Sequence, residues 1–177
     1  MNQISTVFTG RVITVSKERV RLPNGNDADY EIVHHPGGAA VVALDDENRV
    51  CLLRQYRPAA GDWVWELPAG RLEPGEPPAV TARRELAEEA GREACEWQDL
   101  GLMLSSPGVF DERIHLYLAQ GLRSVPAQHE AFEVLEAHWV KFPEALEKAM
   151  NGWILDSKTV VGLLRAAARL GMSLSKA

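Results

Sequence analysis

The chain has 177 residues, 46% of them apolar and 25% charged, with a formal charge of −6 and a pI near 5.4. That size and balance fit one globular domain with a core of its own, with room for a small appended element. The acidic charge argues against nucleic acid as a partner, which wants a basic stripe, and no stretch approaches the roughly 20 apolar residues of a membrane helix.

A small phosphorylated ligand remains compatible with this charge, because a bound metal reverses the local field. The opening MNQISTVFTGRVITVSKERV lacks a basic end followed by an apolar run, so no secretory signal is expected. Cys51 and Cys95 make neither a disulfide framework nor a metal pair at short spacing. The expected compartment is the cytoplasm. There is no internal repeat or low-complexity tract.

In chain order, Arg11–Val15 and Arg19–Leu22 are rich in strand formers, and Pro23–Asn26 (PNGN) is a hairpin-grade turn before Tyr30–His34. These make a small N-terminal β piece, either a satellite sheet or an arm. His34 and His35 have no ligand spacing with other residues and read as structural. After HHPGG, Ala39–Leu44 and Arg49–Tyr56 flank the acidic turn DDEN and read as a core hairpin. Trp63–Leu67 is a further strand ended by Pro68, with Trp63 and Trp65 on one face, where core packing is favoured over base stacking.

A helix is expected from Pro77, since proline is tolerated in a first turn and Gly91 is well placed as the C-terminal cap. Leu100–Leu104 and Ile114–Ala119 are strand candidates separated by SSPGVFDER. A polar stretch, Arg123–Glu130, leads to a last strand near Ala137–Lys141. The chain closes on a helix at Pro143–Met150 and another at Ser157–Leu170, capped by Asp156 or Ser157. Strands mixed with a few helices predict an α/β layered fold around a mixed sheet.

The segment Gly70–Arg92, GRLEPGEPPAVTARRELAEEAGR, holds five acidic side chains and four arginines in twenty-three residues. On a helix, at about 100° per residue, Ala79, Ala82, Leu86 and Ala90 form one apolar stripe. Glu85, Glu88 and Glu89 gather on the other side, at spacings where like charges repel. Arg84, four before Glu88, can neutralise it, whereas Arg92 lies past the helix-ending Gly91. Glu85 and Glu89 then face one way without an obvious counter-charge. Either this is a solvated face, or the carboxylates hold a hard cation. Mg²⁺ takes oxygen ligands and typically uses one or two carboxylates plus substrate phosphates.

From Gly70 the chain reads glycine, five residues, Glu76, seven residues, Arg84-Glu85-Leu86, one residue, Glu88-Glu89, one residue, Gly91. This is the pattern of the Nudix hydrolase signature, and the chain resembles that family here. With each fixed residue at roughly 7%, a chance match of all the fixed positions is on the order of 10⁻⁸ per start position. Arg92 departs from the pattern, which usually has an apolar residue after the last glycine; that position packs rather than reacts.

The resemblance implies an α/β/α sandwich around a mixed sheet, with a small N-terminal antiparallel β element. It implies residues 1–36 as a β arm that helps form a homodimer and residues 37–177 as the Nudix hydrolase domain. It further implies Mg²⁺ or Mn²⁺ as cofactor. By position, Glu85 and Glu89 match the main metal ligands, and Glu88 a helper that pairs with the arginine or reaches a metal through water. Glu76 and Arg84 match a structural ion pair. WELPAGRLEPGE, SSPG and Pro107, about fifteen residues past the signature, resemble the ADP-ribose pyrophosphatase branch. In that branch the carbonyl of Ala69 is a further metal ligand, and Glu133, with Glu130 as the alternative, assists the water or a metal. Arg57 is able to grip a phosphate through its fork or to be an ordinary strand-end arginine. Glu112, following Pro107, is a ribose contact or an exposed loop acid. The expected reaction is hydrolysis of ADP-ribose to AMP and ribose 5-phosphate. Hydrolysis of other nucleoside diphosphate sugars, or non-catalytic binding of one, are the alternatives.

Overall fold

The computed structural model describes residues 3–128 and 133–172. Strands β1 (Gln3–Thr9), β2 (Thr14–Arg21) and β3 (Asp27–His34) form an antiparallel meander. The PNGN turn joins β2 to β3, with Gly25 at φ 86° and its amide donating to the Leu22 carbonyl at 2.9 Å. Glycine takes that left-handed conformation without a Cβ penalty. β1 lies outside the strands expected from sequence. The strand expected at Arg11–Val15 begins only at Thr14, because the Gly10 amide closes a turn on the Ile13 carbonyl at 2.8 Å.

The remaining elements are β4 (Gly38–Ala43), β5 (Arg49–Arg57), β6 (Asp62–Glu66), β7 (Ala69–Arg71), α1 (Pro78–Ala90), β8 (Arg92–Leu104), β9 (Arg113–Ser124), β10 (Leu135–Lys141), α2 (Phe142–Met150) and α3 (Ser157–Arg169). They make a four-stranded mixed sheet in the order β7-β4-β9-β8, with β4 parallel to β9, and a three-stranded antiparallel sheet, β10-β5-β6. The core hairpin expected of β4 and β5 is therefore corrected. The DDEN turn forms, but beyond one bridge, Leu44 with Val50, the strands part into different sheets. Both hydrogen-bonding edges of β4 are occupied, by β7 and β9, so β5 pairs instead with β6 and β10.

All of β4 is buried, and its alternation divides the core into layers. Ala40 and Val42 pack with Leu116, Leu118 and Leu163, on the side of α2 and α3. Ala39, Val41 and Ala43 pack with Ala82, Leu86 and Ala90 of α1. Each fully buried leucine here contributes about 1.5–3 kcal/mol. Gly91 caps α1 at φ 60°, donating to the Ala87 and Leu86 carbonyls, and Asp156 caps α3 by accepting from the Thr159 amide. Among the described residues, no helix is long and apolar enough to cross a membrane. Arg92, unexplained by the sequence pattern, opens β8 with its guanidinium 5.2 Å from the Trp139 ring, a cation–π contact that uses a polar residue at a packing position.

The N-terminal meander is tied to the loop between β8 and β9. The Val33 amide donates to the Val109 carbonyl at 2.8 Å, and the Asp111 amide to the Val33 carbonyl at 3.0 Å. His34 Nδ1 lies 2.7 Å from Asp111 Oδ2, and its Nε2 lies 3.1 Å from Glu18 Oε1. Hydrogen bonding to Asp111, helped by the Glu18 carboxylate, raises the His34 pKa above its ordinary 6.5. The stabilisation is thus fully present below pH about 6.5 and fades as pH rises through the raised folded-state value. The melting temperature of wild type relative to His34→Gln is expected to fall between pH 6 and 9. A difference independent of pH would remove His34 from this role.

Candidate active site

Helix α1 turns Glu85 and Glu89 inward, not toward solvent. Glu85 and Glu89 are only 7% and 3% exposed, which rules out an ordinary solvated face. Burial pushes both carboxyls up, Glu89 to about 8, and the neighbouring Glu133 charge adds to each shift. Glu89 is fixed to β7 by the Ala69 amide, which donates to its Oε2 at 2.8 Å. β7 is an edge strand, so its free side faces the helix rather than another strand.

Arg84 is the hub of the cluster. Its Nε and Nη2 donate to Glu76 at 3.1 and 3.0 Å, and Nη1 donates to Glu85 at 2.6 Å and to Glu88 at 3.2 Å. The Glu85 bond corrects the sequence-based view of that residue as lacking a counter-charge. The long arginine fork reaches its neighbour because the Glu85 carboxylate turns toward Gly70. A Cβ on Gly70 would lie 1.7 Å from Glu85 Oε1, so only glycine leaves room for the carboxylate there. Hydrogen bonding to Arg84, supported by Thr81 at 2.8 Å, holds the Glu76 carboxyl down to about 2. Among the described residues, no three carboxylate, imidazole or thiolate groups already converge as a metal shell.

Gly70, Arg84, Glu85, Glu88 and Glu89 line a cleft of about 570 Å³ that also takes in Arg57, Ala69, Glu112 and Glu133. Glu133 precedes β10, and the segment is tied to the end of β5 by the Tyr56 amide, donating to the Val134 carbonyl at 3.0 Å. Glu112 Oε1 lies 3.4 Å from His35 Nδ1, so it is not a solitary loop acid. The N-terminal turn reaches the cleft through Arg11 and Val12. Pro107 is separated from this group: it lies in the 106–110 turn and lines a neighbouring cavity with Phe110 and Asp111. Glu130 lies outside the described residues.

Arg57 is not a free strand-end arginine. Its Nε and Nη2 donate to the two oxygens of buried Glu66 at 2.7 and 2.8 Å. Lys158, on the first turn of α3, also donates to Glu66 and lines the cleft. Sequence reading passes over Glu66 and Lys158, because the pair is 92 positions apart and each falls in an unremarkable strand or helix start. The only signal was a buried-strand glutamate beside two tryptophans. Trp65 packs against the core and lies 5.0 Å from His138, in keeping with a packing role.

The family profile of the NUDIX domain matches residues 34–159. An ADP-ribose pyrophosphatase of Mycobacterium tuberculosis is 39% identical over 166 residues, covering 92% of this chain and 80% of that one. A methanol dehydrogenase activator of Bacillus methanolicus is 42% identical over 159 residues, covering 89% and 86%. A crystal structure of an ADP compounds hydrolase superposes with a TM-score of 0.81 at 22% identity, covering 96% of this chain and 92% of that one, a likeness of fold.

Proposed function

The chain belongs to the NUDIX family, and we propose that, as a hydrolase of phosphoanhydride bonds, it cleaves the pyrophosphate of ADP-ribose to AMP and ribose 5-phosphate. The observation that carries this reading is a single cleft lined by groups of opposite charge. Glu85, Glu88 and Glu89 line it beside the Ala69–Gly70 strand, and Arg57 and Lys158 line it as well, with Arg57 close enough to Glu89 for the two charges to act on each other. The relative named ADP-ribose pyrophosphatase supports the choice of substrate.

The donor set fits a hard divalent cation, since every group is an oxygen: the Glu85, Glu88 and Glu89 carboxylates and the Ala69 carbonyl. Buried, mutually repelling carboxylates are also what a cation would relieve. When bound, Mg²⁺, or Mn²⁺ in its place, would screen the diphosphate and lower the pKa of a bound water. The chain's own groups would do the rest. Arg57 would hold a phosphate oxygen through the guanidinium edge that Glu66 leaves free. Glu133 would take the proton of the attacking water, with Glu88 as the other candidate base, and Glu112 would accept from a ribose hydroxyl. Arg84 and Glu76 would brace the loop against the helix.

Hydrolysis of other nucleoside diphosphate sugars is the second reading, because the charged groups of the cleft address the diphosphate that all of these share. A substrate panel separates the two: ADP-ribose should give the highest kcat/KM. Faster turnover of another sugar nucleotide transfers the assignment to it. The same reading includes a homodimer through the residue 1–36 arm, supported by the exposed Ile4, Val7, Phe8 and Tyr30 on its strands. It also includes a cytoplasmic setting.

A further inference from the structure

Resting on the reading that this cleft takes a diphosphate, we propose that Lys158 is a positioning residue. It shares the Glu66 carboxylate with Arg57, so that Arg57 is held rigidly and keeps an effective positive charge toward the phosphates.

The geometry is specific. Arg57 uses Nε and Nη2 on Glu66 and keeps Nη1 for the cleft, which it lines. On its own, this would be a closed neutral pair, with the Glu66 charge cancelling the arginine beside the very anion it must attract. Lys158 donates to Glu66 Oε2, the oxygen already bound by Arg57 Nη2, and so divides that negative charge between two cations. Its Nζ also donates to Asp156 Oδ1 at 3.0 Å, while Asp156 Oδ2 caps α3 through the Thr159 amide at 3.0 Å. The helix N-terminus thus offsets part of the Asp156 charge. Thr159 Oγ1 accepts from the Leu67 amide at 2.8 Å and pins the same helical turn to the strand that carries Glu66. Lys158 and Glu66 are both largely buried, where an electrostatic contact is screened less than at the surface.

With Lys158 present, the charges of Arg57, Lys158, Glu66 and Asp156 cancel. Without it, one net negative charge remains next to the place of the diphosphate, and Arg57 loses the third member that fixes its partner. The defect should therefore appear in substrate capture and not in the proton transfers, which belong to other side chains, Glu133 and Glu88.

Steady-state kinetics on ADP-ribose with Mg²⁺ test this for wild type, Lys158→Met and Lys158→Arg, with melting temperatures taken alongside. Lys158→Met is expected to raise KM about tenfold while kcat stays within about threefold, and Lys158→Arg to restore most of the KM. Should Lys158→Met be insoluble, Lys158→Gln, which keeps a donor but no charge, is read on the same scale. An unchanged KM in a folded neutral variant would overturn the proposal. So would a loss carried by kcat with KM unmoved, or a KM rise that Lys158→Arg leaves untouched. If wild type ignores ADP-ribose but turns over another nucleoside diphosphate sugar, the substrate reading fails and the Lys158 comparison is made on that sugar nucleotide.

Discussion

Glu89→Gln is expected to lower turnover by a factor on the order of 10²–10³ while leaving the protein folded and no less resistant to heat. The two halves of that expectation come from one environment. Glu89 is 3% exposed, and burial raises its carboxyl to about 8, so the fold itself disfavours the charge. An amide of the same shape removes that charge and can still accept from the Ala69 amide through its oxygen. A hard cation, however, wants the carboxylate and has little use for an amide carbonyl in its place. The wild-type residue is therefore kept at a cost to stability, in the manner of a functional site. Initial rates and a melting curve on the same preparation check both halves. Unchanged turnover would remove Glu89 from the cation site, and a large drop in melting temperature would show that its role is structural.

Gly70→Ala tests the other side of the same contact. The added Cβ would sit 1.7 Å from Glu85 Oε1 and 2.0 Å from its Cδ, well inside any permitted approach. The carboxylate must then move off Gly70, and with it the bond from Arg84 Nη1. Overpacking of this kind costs about 1–3 kcal/mol, and displacing a catalytic group by about an ångström costs roughly a hundredfold in rate. Both losses should be visible, in the melting temperature and in kcat. Full activity in folded Gly70→Ala would mean that the Glu85 carboxylate has no fixed place in the chemistry.

Much of this site was legible in the sequence because its acids lie on one helix. Spacing alone put Glu85 and Glu89 one turn apart, and the Gly91 cap and Pro77 start bounded the helix closely. Its inward orientation was not legible. The apolar stripe of Ala82, Leu86 and Ala90 left open whether the opposite face was solvated or held a cation, and it is the β7 edge and the Gly70 gap that bring Glu85 and Glu89 inside. Partnerships across the fold were also hidden. Arg57 looked like a strand-end arginine open to a phosphate, whereas Glu66 meets it across the β5–β6 hairpin and Lys158 joins Glu66 only when α3 docks on β6. The parting of β4 from β5 has the same origin. A turn such as DDEN reports that the chain reverses, but the competition from β7 and β9 for the edges of β4 is settled by the whole sheet.

The proposed hydrolysis depends on a cation held by the α1 carboxylates and a diphosphate held against Arg57. Product analysis on purified protein with ADP-ribose tests it most directly, run with Mg²⁺, with excess chelator, and with Mg²⁺ restored. The predicted result is AMP and ribose 5-phosphate in equal amounts, abolished by the chelator and recovered when Mg²⁺ is returned. Cleavage undiminished by the chelator, or no cleavage of any nucleoside diphosphate sugar with the cation present, would contradict it.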